Sequence, residues 1–407
     1  MKQEIIKYGE FICEYAKNNY KKCLREPDGS LSYNFIVPGS CYGGQLWDWD
    51  SWLTDIALGE IVGKDDISDY EKGCVLNFLD HIDENGRIPI LIEQKPGTAT
   101  KWFSVSNNSH KPCLAQHALY ISEKSGSVDW IEKDFDRLVS FVAWYERESL
   151  HSSGLYFWQD DFAIGVDNDP AVFYRPKKSS ASIYLNCLMY KELCAMARLC
   201  EMLGKTAESR DYGAKSDALR KAVREHCWDE RDGCFYSVDI GLLPIDKSVF
   251  LHSGYPRHWE TLIQRIDTWT CFMPLWAGIA TDEEAERLVA RCLDERTFNS
   301  PYGIRSLSRL EKMYLVEKTS NPSCWLGPVW GVANYMIFEG FLRYGYIAEA
   351  KNLAEKTVML FGRDIEKNGE MHEYYDPETG EGVHNKGFQS WNLLAVNMFE
   401  WLKNNDI

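Results

Sequence analysis

Two short acidic segments, more than two hundred positions apart, carry the side chains best suited to chemistry. In "IGVDNDPAVFYRP", Asp167, Asn168 and Asp169 precede Pro170; in "EMHEYYDPETGEG", Glu373 stands between His372 and two tyrosines. Asp, Asn and Pro are common turn residues, so the first segment also reads as a plain turn, and "DPETG" makes Asp376 a turn residue. As a pair, however, Asp167 and Glu373 suit the hydrolysis of a glycoside with inversion. That reaction needs one protonated carboxyl to donate to the leaving oxygen. It also needs an ionised one about 6.5–9.5 Å away to activate water. Ile164, Val166 and aromatic neighbours would raise the pKa of Asp167 by desolvation, as an acid requires.

Aromatic segments supply material for a sugar site. "QLWDWDSWL" packs Trp47, Trp49 and Trp52 around Asp48 and Asp50. Tryptophan is bulky and a carboxylate beside it resists burial, so the cluster is costly as a mere core element. As a sugar wall it offers flat rings for C–H faces and a carboxylate for hydroxyls; Trp47 and Trp52 fit the core equally well. "NNSHKPCLAQ" adds Asn108, His110 and Lys111, and "NPSCWLGPVW" sets Trp325 and Trp330 around Gly327-Pro328, with core packing as the rival account. Gln389 and Trp391 open the last helix, where Trp391 could cap the pocket floor. Arg175 is expected to steady the Asp-rich loop by pairing with Asp169. His110 and His372 could bond sugar or position Glu373, although satisfied structural histidines are commoner.

The elements that must position these groups are helical. Apolar periodicity and start signals predict helices over 2–19, 49–62, 66–85, 111–124, 128–147, 181–203, 205–227, 271–279, 282–294, 326–344, 346–362 and 389–403. Ser68 with Glu71, and Thr281 with Glu284, have capping-box spacing. The odd helices carry one apolar stripe, whereas the even ones are apolar almost all round, as buried helices must be. This alternation predicts an all-α fold, an (α/α)6 barrel in a single domain spanning 1–407. Inner helices of such a barrel run the same way, so the segments at their starts would share one rim and converge on a pocket.

Composition narrows the partners. The 407 residues carry a net charge of −16, which disfavours nucleic acid and anionic membrane surfaces. A small neutral carbohydrate suits this surface better. No apolar run is long enough to cross a bilayer, and the amphipathic N-terminus lacks a signal-peptide core. Thirteen cysteines lie scattered without metal-ligand spacing, which points to a reducing cytoplasm. No H-E-x-x-H or EF-hand pattern occurs, so no metal and no cofactor are assigned.

At these residues the chain resembles glycoside hydrolase family 63 and the related family 37 trehalases. Within family 63 it is most similar to compact bacterial members that hydrolyse mannosylglycerate or glucosylglycerate. The carrying motifs run in order along nearly the whole chain: Trp49-Asp50-Ser51, Gly165-Val166-Asp167-Asn168, "PLWAGI", "YGIRSLS", "CWLGPVWGVANYMIFEGFLRYGY", "EYYDPETG" with Glu373, and "FQSW". The resemblance implies an inverting, exo-acting glycosidase with Asp167 as general acid and Glu373 as general base. It implies that Trp49 and Asp50 hold the non-reducing sugar. Leu326 stands where the family often has Arg, and Lys111 where Gln is frequent. The tripeptide usual before the acid is replaced by "WQDDFAIGVD", so Asp160 or Asp161 could share the acid's role. A sugar epimerase and an inactive carbohydrate-binding protein are the alternatives. Gluco or manno preference, the leaving group and a monomeric or dimeric state are left open.

Overall fold

The computed structural model describes residues 2–63, 67–242, 259–317, 319 and 321–405. Among them run thirteen α-helices. They are α1 (Gln3–Asn19), α2 (Asp48–Ile61), α3 (Ser68–Asp80), α4 (Thr98–Phe103), α5 (Leu114–Ser125), α6 (Phe135–Glu148) and α7 (Ile183–Met202). There follow α8 (Thr206–Cys227), α9 (Met273–Ala277), α10 (Asp282–Cys292), α11 (Gly331–Arg343), α12 (Ile347–Asn368) and α13 (Ala395–Asn404). Helices α2, α5, α7, α9, α11 and α13 each touch the next, and α13 returns to α2. They form a closed inner ring, with α1, α3, α6, α8, α10 and α12 outside it: an (α/α)6 barrel.

The two rings differ as their sequences require. Inner α7 buries residues on every side, including Leu185, Leu188, Met189, Leu193 and Met196. Outer α10 buries only Glu284, Ala285, Leu288, Val289 and Cys292. Its start is the expected capping box: Thr281 Oγ1 accepts from the Glu284 amide at 3.2 Å and Glu284 Oε2 from the Thr281 amide at 2.7 Å. The other expected box does not form. Ser68 is already helical in α3, no side chain caps that helix, and Glu71 instead pairs with Lys124 of α5.

Three inner helices begin later than their periodicity predicts, at Leu114, Gly331 and Ala395 rather than near 111, 326 and 389. Pro112 and Gly327-Pro328 break the first two starts, since proline lacks an amide donor and disfavours helix in the residue before it. The chain there takes other geometry: Val329–Trp330 is a strand and Ser390–Leu394 a 3-10 turn. Two small sheets at this rim were not legible as strands. Gln45–Trp47 pairs antiparallel with Leu91–Glu93, and Val329–Trp330 with Tyr374–Tyr375, which also pairs with Gly382–His384. The first sheet aims Trp47, and the second holds the residue just before Tyr374. The short helix α4 was also unforeseen.

Candidate active site

The rim at the inner helix starts encloses a pocket of about 530 Å3. Trp47, Trp49 and Asp50 form one wall, at the junction of the Gln45–Trp47 strand and α2. Trp47 is set by its indole N–H, which donates to Gln45 Oε1 at 2.9 Å, and by the edge of Phe103, 5.1 Å between ring centres. Trp49 packs against Trp391 at 5.0 Å and Trp325 at 6.1 Å. Asp50 accepts from Ser390 Oγ at 3.1 Å. Burial and the neighbouring Asp48 charge push its carboxyl well above the ordinary range.

Asp48 faces away from this wall. Both its oxygens receive the Lys111 ammonium, at 2.8 and 2.9 Å, and one also accepts the Lys111 amide at 3.0 Å. The two side chains are 0% and 2% exposed, so this is a buried ion pair that ties α2 to the start of α5. Burial pushes the Asp48 carboxyl up, but the Lys111 charge prevails and holds it below its usual value. Lys111 also lines the pocket.

Asp167 reaches the same pocket from a loop without helix or ladder. Gly165, at φ +86°, lets that loop lie on Lys111, because a Cβ there would come within 2.3 Å of Lys111 Cε. The turn is real as well: Ala171 donates to Asp169 Oδ1 at 2.8 Å and Asp169 to Val166 at 3.0 Å. Asn168 Oδ1 accepts the Trp325 amide at 2.7 Å and so locks the loop to the next rim segment. Burial raises the Asp167 carboxyl; Lys111, Ser323 and Asn321 oppose that. Ala163, another lining residue, sits at φ +64°, a strained conformation of the kind that gathers at functional sites.

Glu373 lines the same pocket and is only 4% exposed. Its amide donates to His384 at 2.9 Å, which fixes it to the sheet edge. Asn385 Nδ2 donates to Oε2 at 2.8 Å, and the Tyr42 hydroxyl makes long contacts of 3.4 and 3.5 Å. Burial and the Asp167 charge push its pKa up to about 7, against the hydrogen bonds from Asn385 and Tyr42. The two carboxylates therefore share one pocket and feel each other's charge.

Other residues named from sequence lie behind this surface. Trp330 is fully buried and stacks on Trp325 at 3.8 Å, as a backing layer. Gly327, at φ +150°, passes close to the Tyr314 ring. Asn108 binds Asp160, donating to its Oδ1 at 3.0 Å; Asn107 donates to Oδ2 at 2.9 Å. Asp161 accepts the Tyr174 amide at 2.9 Å. With neither on the lining, Asp160 and Asp161 are not companions of Asp167. His110 is buried between Phe78 and Phe141, its Nδ1 2.6 Å from the Lys111 carbonyl, and burial lowers its pKa to about 4. His372 pairs with Asp364 at 2.8 Å, and Gln389 Oε1 accepts from the Cys23 thiol. The expected Arg175–Asp169 pair is absent; Arg175 pairs with Asp239, because its loop turns outward after Tyr174. Sequence reading missed Tyr42, Phe103, Ser323, Asn385 and Phe388; only the "CYGG" run before Trp47 hinted at the first.

A model of the mannosylglycerate hydrolase MGH1-like glycoside hydrolase domain matches residues 44–391. Mannosylglycerate hydrolase MGH2 of Selaginella moellendorffii is 35% identical over 94% of this chain and 84% of its own length. A probable mannosyl-oligosaccharide glucosidase of Schizosaccharomyces pombe is 27% identical over 68% of the chain, which spans only 35% of that protein. The solved family 63 mannosylglycerate hydrolase of Thermus thermophilus superposes with a TM-score of 0.67. It is 21% identical and covers 96% of this chain and 98% of its own.

Proposed function

Because the chain belongs to the MGH1-like family of glycoside hydrolases, we propose that it cleaves an α-glucoside or α-mannoside of a small sugar or glycosyl-glycerate. The proposed reaction is exo-acting and inverting. Asp167 protonates the leaving oxygen, and Glu373 takes a proton from the water that attacks the anomeric carbon from the other face. The carrying observation is that Asp167 and Glu373 line one tryptophan-walled pocket and interact through their charges. Trp49 and Trp391 cover the sugar's C–H faces, and Asp50 bonds its hydroxyls. Tyr42 and Asn385 hold Glu373 by donating to it, which stabilises the ionised form a base needs. Repulsion between the two carboxyls favours a singly protonated pair. Among the described residues no histidine lines the pocket, so an epimerase relying on imidazole proton carriers has no support. The thirteen unpaired thiols support a reducing compartment, and among the described residues no helix is long and apolar enough to cross a membrane. We place the protein in the cytoplasm as a monomer or homodimer.

Asp167→Asn and Glu373→Gln are each expected to lower turnover of natural α-linked substrates about 10²–10⁴-fold. A glycosyl fluoride separates the roles, since fluoride leaves without protonation. Asp167→Asn should retain most fluoride hydrolysis, whereas Glu373→Gln should lose it. The reverse pattern would exchange the assignments, and unchanged turnover in either variant would remove that residue. Proton NMR of the first product should show the anomer opposite to the substrate's; retention would reject inversion.

A further inference from the structure

A second cavity, of about 910 Å3, lies away from the catalytic pocket. Its lining comes from Gln116 near the start of α5 and from the middle and later turns of α2, α5, α7, α9 and α11, whereas the catalytic pocket sits over the starts of the inner helices. In a ring of helices that run the same way, this is the opposite mouth of the barrel. Nothing in the proposed reaction uses it.

Four aromatic rings, Trp52, Tyr120, Trp276 and Tyr335, face this cavity together with Lys191 and Arg343. Trp52 and Trp276 meet edge to face, 6.3 Å between centres. The Lys191 ammonium lies 5.5 Å from the centre of the Trp276 ring, and Arg343 Nε donates to the Trp276 carbonyl at 3.0 Å. Neither cation forms an ion pair with a carboxylate among the described residues. Burial and then the neighbouring Arg343 charge lower the Lys191 pKa, against the charges of Glu339 and Glu123. Two acids, Glu339 and Glu123, share the lining; burial raises the Glu339 carboxyl, against the Arg343 and Lys191 charges and a hydrogen bond from Tyr335. Glu123 lies at the exposed rim, 3.8 Å from Arg198. Gln116 Oε1, also on the lining, is buried without a donor.

Concave sites with aromatic walls and a few placed polar groups typically bind small molecules. We propose that this mouth binds a small organic anion, a carboxylate or phosphate monoester bearing a flat or apolar ring. The anionic group lies between Lys191 and Arg343, and the ring packs against Trp276 and Trp52. Such a ligand brings its charge directly against two cations that make no ion pair of their own among the described residues, and covers exposed ring surface at once.

The full chain is titrated with benzoate, phenyl phosphate and the neutral benzyl alcohol by calorimetry. One site per chain is expected for at least one anion, and the tighter of the two identifies the headgroup. Affinity should fall at least tenfold in Lys191→Gln/Arg343→Gln, with glycoside hydrolysis unchanged, and benzyl alcohol should bind at least tenfold more weakly. Three results would overturn the proposal: no saturable anion binding below about 10 mM, equal affinity in the double variant, or equal affinity for benzyl alcohol. Should that variant not fold, anomalous scattering from 4-iodobenzoate soaked into crystals of the unaltered protein decides. Iodine beside Trp276 supports the site, and iodine only in the catalytic pocket rejects it.

Discussion

At the scale of single residues, the site is a set of carboxyls held in different states by different surroundings. Glu373 has two hydrogen-bond donors but also lies in a buried site facing Asp167, and the balance raises its pKa from 4.5 to about 7. A carboxyl raised in the folded state contributes stability below pH 4.5, and that contribution disappears as pH rises through 7. Wild-type unfolding free energy should therefore drop between pH 4.5 and 8 by on the order of 3 kcal/mol from this group. Glu373→Gln should flatten that part of the profile, as read by urea unfolding at each pH. The ascending limb of kcat/KM should lie near pH 7, where the base ionises. Lys111 and Asp48 form the second residue-scale feature. Lys111→Met leaves the Asp48 carboxylate buried without its partner and should cost about 3–5 kcal/mol. Lys111→Met with Asp48→Leu should cost clearly less, because no lone charge remains. Chemical denaturation of both variants gives the comparison.

At the scale of elements, two capping motifs of the same spacing have opposite outcomes. Thr281 and Glu284 exchange hydrogen bonds at the start of α10, while Ser68 of α3 caps nothing and Glu71 is drawn to Lys124. A motif records what a helix start could use; a tertiary cation decides whether the carboxylate is free to use it. Thr281→Ala should lower stability by about 1 kcal/mol, whereas Ser68→Ala should be nearly neutral. Thermal melts of the two variants measure the difference. The catalytic rim shows the same competition. Inner helices start late where Pro112 and Pro328 interrupt them, and the segment freed before α11 becomes the strand Val329–Trp330 that pairs with Tyr374–Tyr375 beside Glu373.

At the scale of the molecule, ring closure creates both mouths. Helix α1 packs on α12 and α13, so the first and last described helices meet, and Gly9 sits where any Cβ would strike Phe399. The thirteen thiols follow from this architecture: most are buried in the rings, and burial raises groups such as Cys13 and Cys23 to about 11 and 12. Cys41 is the exposed one, and it lies next to Tyr42 of the pocket. Brief treatment of the native protein with iodoacetamide should add a single label, at Cys41, and slow hydrolysis, while Cys41→Ser should resist both effects. Intact-mass spectrometry beside an activity assay checks this.

Much of this protein was legible along the chain. Apolar periodicity separated inner from outer helices, because a helix buried on all sides must be apolar on all sides. The order of the rim segments suggested that Asp167 and Glu373 share a pocket, and the resemblance to family 63 implied Trp49 and Asp50 beside them; all four line one pocket with Trp391. Facing direction was not legible, because it depends on which partner a side chain meets across the ring. Lys111 turns to Asp48, Arg175 to Asp239 and His372 to Asp364, and these polar contacts hold His372 and Arg175 behind the surface they were expected to form. Tyr42 and Asn385 went unnoticed for the same reason: only folding carries two loops, over three hundred residues apart, to one carboxylate.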